Sequence, residues 1–464
     1  MKQLLLLSLM TVLGGFGALY HPFWAVLLYY TLAVLRPQYL WKWALPIDVR
    51  WSLLAAAMLV ASLFLNAPKV LNRARFTLMS GLMTAYAFCL LMSCLMAYDP
   101  EMAQFWGIEY GKILLIAVIA AAVIDELWQV RWLAIMIMCV LGYIAFEVNS
   151  LYFVNGRLDI FHHGYGGLDN NGAGLMLALG VPLAGAFALS DAKLWQRGAA
   201  AFIGALLMHA VLMTYSRGAM LSATVGILWL LIHHKPRHHA VAALLVVSIM
   251  VSVMAGKEIR ERLLSTMNYT QDASAQSRLD SWGAAAEMIW DSPLLGHGIR
   301  NSNQFSRNYG ADTYGRTIHN LYLQIGADTG LPAMTLYVAM IITAFVQLRR
   351  GRHMCQNFLS DQPRHQVKDT TIAQMPQVIR GLEGCVLTFS FGAMFLSMEV
   401  FELSWLLLTI AGLVPAVASR HIRELLADQE REPVLKAPEA RPHWNVPTVP
   451  NLRLPHSPRE VPWS

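Results

Sequence analysis

Apolar segments of about 15 to 22 residues recur along this 464-residue chain, each approaching the roughly 20 that a helix needs to cross a hydrocarbon core. They fall at approximately 4–18, 22–35, 51–65, 76–97, 111–124, 132–148, 172–190, 199–215, 218–232, 240–255, 331–348, 381–398 and 403–418. Lipid offers no partner for a bare peptide group, so such runs become helices. The expected fold is therefore all-α, a polytopic membrane protein of about 12 to 13 transmembrane helices, the first two short enough to form a re-entrant or tilted pair. A composition 56% hydrophobic and 14% charged, with a mean hydropathy of +0.45, argues against a soluble enzyme. The opening "MKQLLLLSLM" lacks a small-x-small cleavage site downstream and reads as an uncleaved first helix.

A net charge of +6 and a pI near 9.0 would suit a nucleic-acid partner if the cations were clustered. They are instead spread over short loops, so no nucleic acid is expected and the charges read as topology signals. Lys69, Arg73 and Arg75, then Arg131, Lys193 with Arg197, Lys235 with Arg237, and Arg349, Arg350 and Arg352 form one basic set, expected in the cytoplasm. The opposite, outward set comprises 98–110, 149–171, 216–217, 256–330 and the turn "MEVFE" at 398–402. Arg36, Lys42 and Arg50 do not follow this alternation. Cys89, Cys94, Cys139, Cys355 and Cys385 show no metal or disulfide spacing and read as packing residues.

The resulting organisation is N-terminal membrane helices over 1–255, an outward loop over 256–330, C-terminal membrane helices over 331–427 and a tail over 428–464. An inward loop is expected at about 349–380, and the proline-rich tail is expected to be a disordered inward extension. Within the long loop, "SRLDSWGAAAEMIWDSP" suits an amphipathic helix. Ser277 and Asp280 are placed for its start, Asp291 to Pro293 for its end, and Trp282, Ala285, Ile289 and Trp290 on one apolar side. Such a helix would lie as a cap over the bundle.

Several polar groups in the outward segments need more than lipid to explain them. "LMTYSRGAMLSA" puts Arg217 between two apolar runs with almost no loop, where a cation either faces a polar cavity or snorkels to headgroups. Gly218 beside it removes bulk where a ligand can approach. Arg278 begins the amphipathic stretch, and Arg300 follows Gly296 and Gly298, which read as a flexible approach loop with no dinucleotide fingerprint. His319 and Asn320 precede a long apolar helix that they can simply cap. Yet an imidazole titrating near neutrality can take a proton from a hydroxyl, and arginines can hold phosphate bidentately. Asp169, Asn170 and Asn171 lie ahead of another helix, as caps or as donors to sugar hydroxyls. Glu399 and Glu402 either orient a cation or form a solvated turn. His162 and His163 lack further ligands, so no metal and no cofactor are expected, and His209 reads as a packed residue.

Three stretches in order, "TYSRGAML", "SRLDSWGAAAEMIWDSPLLGHGIRN" and "IHNLYLQIGADTGLPA", resemble the O-antigen ligase and O-antigen polymerase superfamily. The resemblance covers roughly 165–345, and the "PFWAVLLYYTLAVLRPQYLWKW" opening is similar to members associated with exosortase and exopolysaccharide systems. It implies a GT-C-like membrane glycosyltransferase of the bacterial inner membrane. Such an enzyme takes a glycan from an undecaprenyl-diphosphate carrier and passes it, at the periplasmic face, to a glycan, lipid or protein hydroxyl, without a metal. The family's two arginines and histidine match Arg217, Arg278 and His319. On that reading the arginines hold the diphosphate, whose charge grows as the sugar-phosphate bond breaks, and His319 activates or orients the acceptor. Asn320, Arg300 and Asp169 to Asn171 support the substrate. Membrane lipids and other polysaccharide assembly proteins are the further partners. The outward loops carry no pair of carboxylates placed as in a glycosidase. A secondary transporter of a small anion is the alternative, since an intramembrane arginine and broken helices suit it too, and a scaffold in a polysaccharide assembly complex is the third reading.

Overall fold

The computed structural model describes residues 2–45, 49–73, 75–234, 238, 273–311, 317–362 and 369–436. Residues 1–422 form one compact unit and 423–464 a second. Among the described residues the chain is helical, with no strand beyond one isolated bridge between Tyr165 and Leu168. The helices are α1 (Lys2–Tyr20), α2 (Pro22–Leu35), α3 (Pro37–Leu40), α4 (Trp51–Arg73), α5 (Leu78–Leu95), α6 (Pro100–Val123), α7 (Leu127–Asn155) and α8 (Asp159–His163). They continue with α9 (Asn170–Ala188), α10 (Leu194–Met213), α11 (Arg217–His233), α12 (Ala273–Asp291), α13 (Ser302–Phe305), α14 (Leu321–Asp361), α15 (Thr370–Gly392) and α16 (Glu402–Lys436). Nine helices among the described residues are long and apolar enough to cross a membrane, which makes this a polytopic all-α membrane protein. Twelve of the thirteen expected spans fall on described helices, α2, α11 and α15 being outside the nine. The expected span 240–255 lies outside the described residues.

Burial sorts the helices from rim to centre. In α1 only 17% of the apolar span is buried, whereas in α9 the figure is 78%. α9 packs against α7, α10, α11 and α15. Its sequence "NNGAGLMLALGVPLAGAFA" is rich in glycine and alanine, and small side chains let neighbouring helix backbones approach where no water drives association. α1 and α2 pair as a hairpin turned at His21, which accepts a hydrogen bond from the Phe23 amide (3.1 Å) ahead of Pro22. Proline at this first position costs nothing, because the amide it lacks has no helical partner there.

The chain departs from the expected layout in several places. The connection expected over about 349–380 is mostly helix, α14 running to Asp361 and α15 starting at Thr370. α16 extends to Lys436, and the remainder of the proline-rich tail lies outside the described residues. The amphipathic helix α12 begins at Ala273, so Ser277 is an interior residue, whose carbonyl accepts from the Ser281 hydroxyl (2.9 Å). Its buried face carries Ala285 and Met288, with Trp282 and Ile289 packed beside them, while Trp290 is 89% exposed. Trp290 follows Ile289 directly, about 100° further round a helix of 3.6 residues per turn, which takes it off the packed face.

Gly296 and Gly298 are not a flexible approach. Their loop is clamped to α14 through His297 N to Ala327 O (3.0 Å), Gly298 N to Asp328 O (2.9 Å) and Leu331 N to Pro293 O (2.7 Å). This clamp explains why "DSPLLGHG" and "GADTGLP" occur together. Gly330 breaks α14 with φ 85° and ψ 170°, a conformation open only to glycine, and a Cβ there would come within 2.3 Å of the Leu294 carbonyl oxygen. Pro332 then restarts the helix.

Candidate functional site

The outward segments of the sequence meet at one end of the bundle. The Asp99 amide donates to Asn301 Oδ1 (2.6 Å), fixing the start of α6 to the loop after α12. Asn170 Nδ2 donates to Thr214 O (3.0 Å), fixing the start of α9 to the turn between α10 and α11. The Leu321 amide donates to Ala393 O (2.8 Å), fixing the start of α14 to the turn after α15. Arg36 reaches both Gly166 O and, at 3.1 Å, Glu402.

Arg36 and Arg50 thereby cease to be exceptions. Arg36 is neutralised by Glu402, and Arg50 lies 3.5 Å from Glu109, so each basic group is matched by an acid. The opposite end holds Arg73 and Arg420 on Asp125 (2.9 and 3.0 Å) and His421 on Asp369 (2.8 Å).

Arg217 is the first residue of α11. Ser216 caps the helix, its hydroxyl accepting from the Ala219 amide (3.3 Å), so Arg217 stands where a helix start directs its free N–H groups and positive dipole end. A Cβ at Gly218 would lie 3.3 Å from the Cβ of Phe395. Arg278 is one turn before Trp282, whose ring is 6.5 Å from that of Phe395. Ile318, just before His319, packs into the same cluster as Ala285 and Met288 of α12, and Leu321, just after it, bonds to Ala393. Each candidate is therefore one to four residues along the chain from a residue that meets the Ala393–Phe395 turn, and all three are half-buried and engaged by polar, ring or electrostatic contacts. For His319 one such contact is Thr317 Oγ1, 3.3 Å from Nε2.

Backbone conformation marks the same places. Among the described residues, the non-glycine residues with positive φ are Arg36 (44°), Tyr215 (53°), Arg300 (64°) and His319 (54°). A side chain in this region is uncommon and persists where surrounding structure holds it, as functional sites do. Tyr215 is two residues before Arg217, and the other three are charged or ionisable groups at the same end.

The supporting residues divide by role. Asp169 caps α9, accepting from Gly172 N (2.8 Å), and Asn171 Nδ2 bonds back to Asp169 (3.2 Å). Asn320 caps α14, accepting from the amides of Tyr322 and Leu323 (both 3.1 Å). Asn170 is the one of the trio that links to the Arg217 turn. His162 and His163 close the short helix α8, and His209 is buried against Asn149 and stacked on Phe153.

Arg300 is held by an acid and a ring. Its Nε lies 2.8 Å from Glu399 Oε2 and its guanidinium is 4.5 Å from the Trp106 ring centre. Glu399 is buried, which rules out the solvated turn. The Arg300 contact is out of line for a hydrogen bond, and both Glu399 oxygens lack a hydrogen-bond donor among the described residues. Burial pushes the Glu399 carboxyl above its ordinary range, and the Arg300 charge pulls it back. Removing one member of a buried pair leaves an uncompensated charge at a cost of about 3–5 kcal/mol. Arg300→Ala is accordingly expected to lower the thermal midpoint in detergent, and the double variant Arg300→Met with Glu399→Leu to recover most of the loss.

Residues 200–338 match a family model described as O-antigen ligase. The match runs from within α10 to within α14 and contains Arg217, Arg278, Arg300, His319 and Asn320. It bears out the resemblance to the O-antigen ligase and polymerase superfamily, a family of glycan-transferring membrane enzymes. Asp169 to Asn171, Arg36, Glu399 and Glu402 fall outside the matched O-antigen ligase region. No curated protein matches the chain.

Sequence reasoning passed over Arg36, Tyr215 and Trp106. Arg36 was legible only as an exception to the charge alternation, and nothing in local sequence pairs it with Glu402, 366 residues away. A positive φ at Tyr215 leaves no compositional trace, since tyrosine is not a residue that favours it.

Proposed function

We propose that this protein transfers a glycan from an undecaprenyl-diphosphate carrier to an acceptor hydroxyl at the periplasmic face of the bacterial inner membrane. The acceptor oxygen attacks the anomeric carbon, a new C–O bond forms, and the bond from that carbon to the phosphate oxygen breaks with its electron pair. One displacement inverts the anomeric configuration. The hydroxyl proton passes to the His319 imidazole, and Arg217 and Arg278 balance the charge that accumulates on the departing diphosphate. Arginine suits this task because its planar fork holds two phosphate oxygens at once and stays charged. No divalent ion is required on this account. Asn320 and Asp169 to Asn171 line the approach of the sugar, with Asn170 joined to the Arg217 turn.

The observation that carries this reading is the meeting of three segments, the starts of α11 and α14 and the α12 helix, around Phe395 and Ala393. Arg300, paired with Glu399, is then a wall of the site and not a free phosphate ligand. Charge supports this orientation. The end with Arg73, Arg197, Arg349 and Arg350 has the cation excess expected of a cytoplasmic face.

Purified protein given a lipid-linked glycan should release free undecaprenyl diphosphate in step with acceptor glycosylation. Uptake of a labelled anion by vesicles containing the protein, without that release, would point to the transporter instead. The acceptor class is read from a deletion strain. Single repeat units on their acceptor indicate a lost polymerase, and full-length chains stranded on the carrier indicate a lost ligase.

A further inference from the structure

α12 carries two apolar faces, and protein covers only one of them. Ala285 and Met288 pack into the cluster with Ile318 and Ala327. On the opposite side, Leu279, Gly283, Ala286 and Trp290 recur at the three- and four-residue intervals of a single helix face, and all four are exposed. Asp280, Glu287 and Asp291, exposed as well, share one flank between the two faces. The turn after α12 brings the uncovered face to two membrane-crossing helices. The Leu331 amide donates to Pro293 O (2.7 Å) and the Tyr98 amide to His297 O (2.9 Å), so the turn bridges the end of α5 and the point where α14 restarts after Gly330. Each of these helices is long and apolar enough to span a bilayer, and each has an exposed apolar stripe leading away from the turn. The stripe is Phe88, Leu91 and Leu95 on α5, and Val338, Ile342 and Val346 on α14. Leu331, 40% exposed, begins the α14 stripe, and Leu294, 71% exposed, sets its backbone against Gly330 beside it.

We infer that the Trp290–Leu294 end of α12 is a membrane-contact surface, seated in the leaflet on the candidate-site side, with Trp290 and Leu294 entering the boundary between headgroups and acyl chains by about 5–10 Å. Continuity favours lipid over a protein partner. The α14 stripe meets acyl chains because α14 crosses the bilayer, and Leu331 and Leu294 prolong that stripe to the end of α12. Trp290 is of the residue type that gathers at the membrane–water boundary, where one ring has both an apolar body and a polar tip. The acidic flank supplies the edge that stays in water. Because that flank is acidic, the seat depends on apolar burial and not on attraction to anionic headgroups, so it should form on zwitterionic lipid. The seat stands or falls without the transfer reading; on that reading, it also keeps Arg278, on the same helix, near the depth of a lipid carrier's diphosphate.

Photocrosslinking of the full-length protein in phosphatidylcholine vesicles tests the assignment. The photoreactive residue p-benzoylphenylalanine takes the place, in separate variants, of Trp290, of Leu294, of Ile342 on the α14 stripe and of Glu287 on the acidic flank, all of them exposed positions. Intact-mass measurement reads the products. Adducts of one phosphatidylcholine are expected at positions 290 and 294, in a yield like that at 342, with none at 287. Absence of the lipid adduct at either 290 or 294, alongside its presence at 342, would leave this end of α12 in water and overturn the inference. So would a crosslink from 290 or 294 to a second copy or to another segment of the chain, since protein would then cover the face. A lipid adduct at 287 as abundant as at 290 would overturn it too, because the contact would not distinguish the apolar face from the acidic flank.

Discussion

Arg217→Ala is expected to lower glycan transfer by about 10²–10³-fold, the usual loss when one fixed group that meets developing charge is removed. The fold should survive it. Arg217 is half-buried at the first turn of α11, and the cap that starts that helix is made by Ser216, not by the arginine. Membrane accumulation and thermal midpoint should therefore match the unaltered protein. Arg217→Lys keeps the charge and loses the two-pronged geometry, so it should fall between the two. Normal product from Arg217→Ala would remove the diphosphate role from this residue.

His319 should show a loss of comparable size, about 10²–10⁴-fold on replacement by alanine, as befits a proton-transfer group. Its backbone complicates a plain reading of the alanine variant, because φ is 54° and a Cβ is strained there. Asparagine resolves this. It tolerates the left-handed region better than most residues but cannot accept the proton, so His319→Asn should keep the fold and lose transfer. A merely structural histidine would give the reverse, with activity retained in the asparagine variant. In both variants the defect should lie in turnover more than in donor binding, since the arginines remain to hold the diphosphate.

The membrane architecture was legible because a span of roughly 20 apolar residues has few alternatives once backbone groups must be satisfied internally. Twelve expected spans fall on helices for that reason. Arg217 stood out as a cation between two apolar runs, whereas Arg278 and His319 joined it through the family resemblance, and the chain brings the segments of all three to one turn. What the sequence hid was long-range pairing. Glu399 reads equally as a cation's partner or a solvated turn residue until Arg300 arrives from elsewhere in the chain, and Gly296 reads as slack until Asp328 and Thr329 press against it. Local pattern also misplaced Trp290, because an amphipathic helix with a narrow packed face leaves the adjacent position outside.

The central claim is that guanidinium and imidazole groups, with no divalent ion, carry out transfer from a lipid diphosphate. Release of undecaprenyl diphosphate from a lipid-linked glycan, measured with purified protein in excess EDTA, tests it most directly. The account predicts undiminished release by the unaltered protein and almost none by Arg217→Ala, Arg278→Ala or His319→Asn. Release that stops on chelation and returns with magnesium or manganese, or that persists in all three variants, would contradict it.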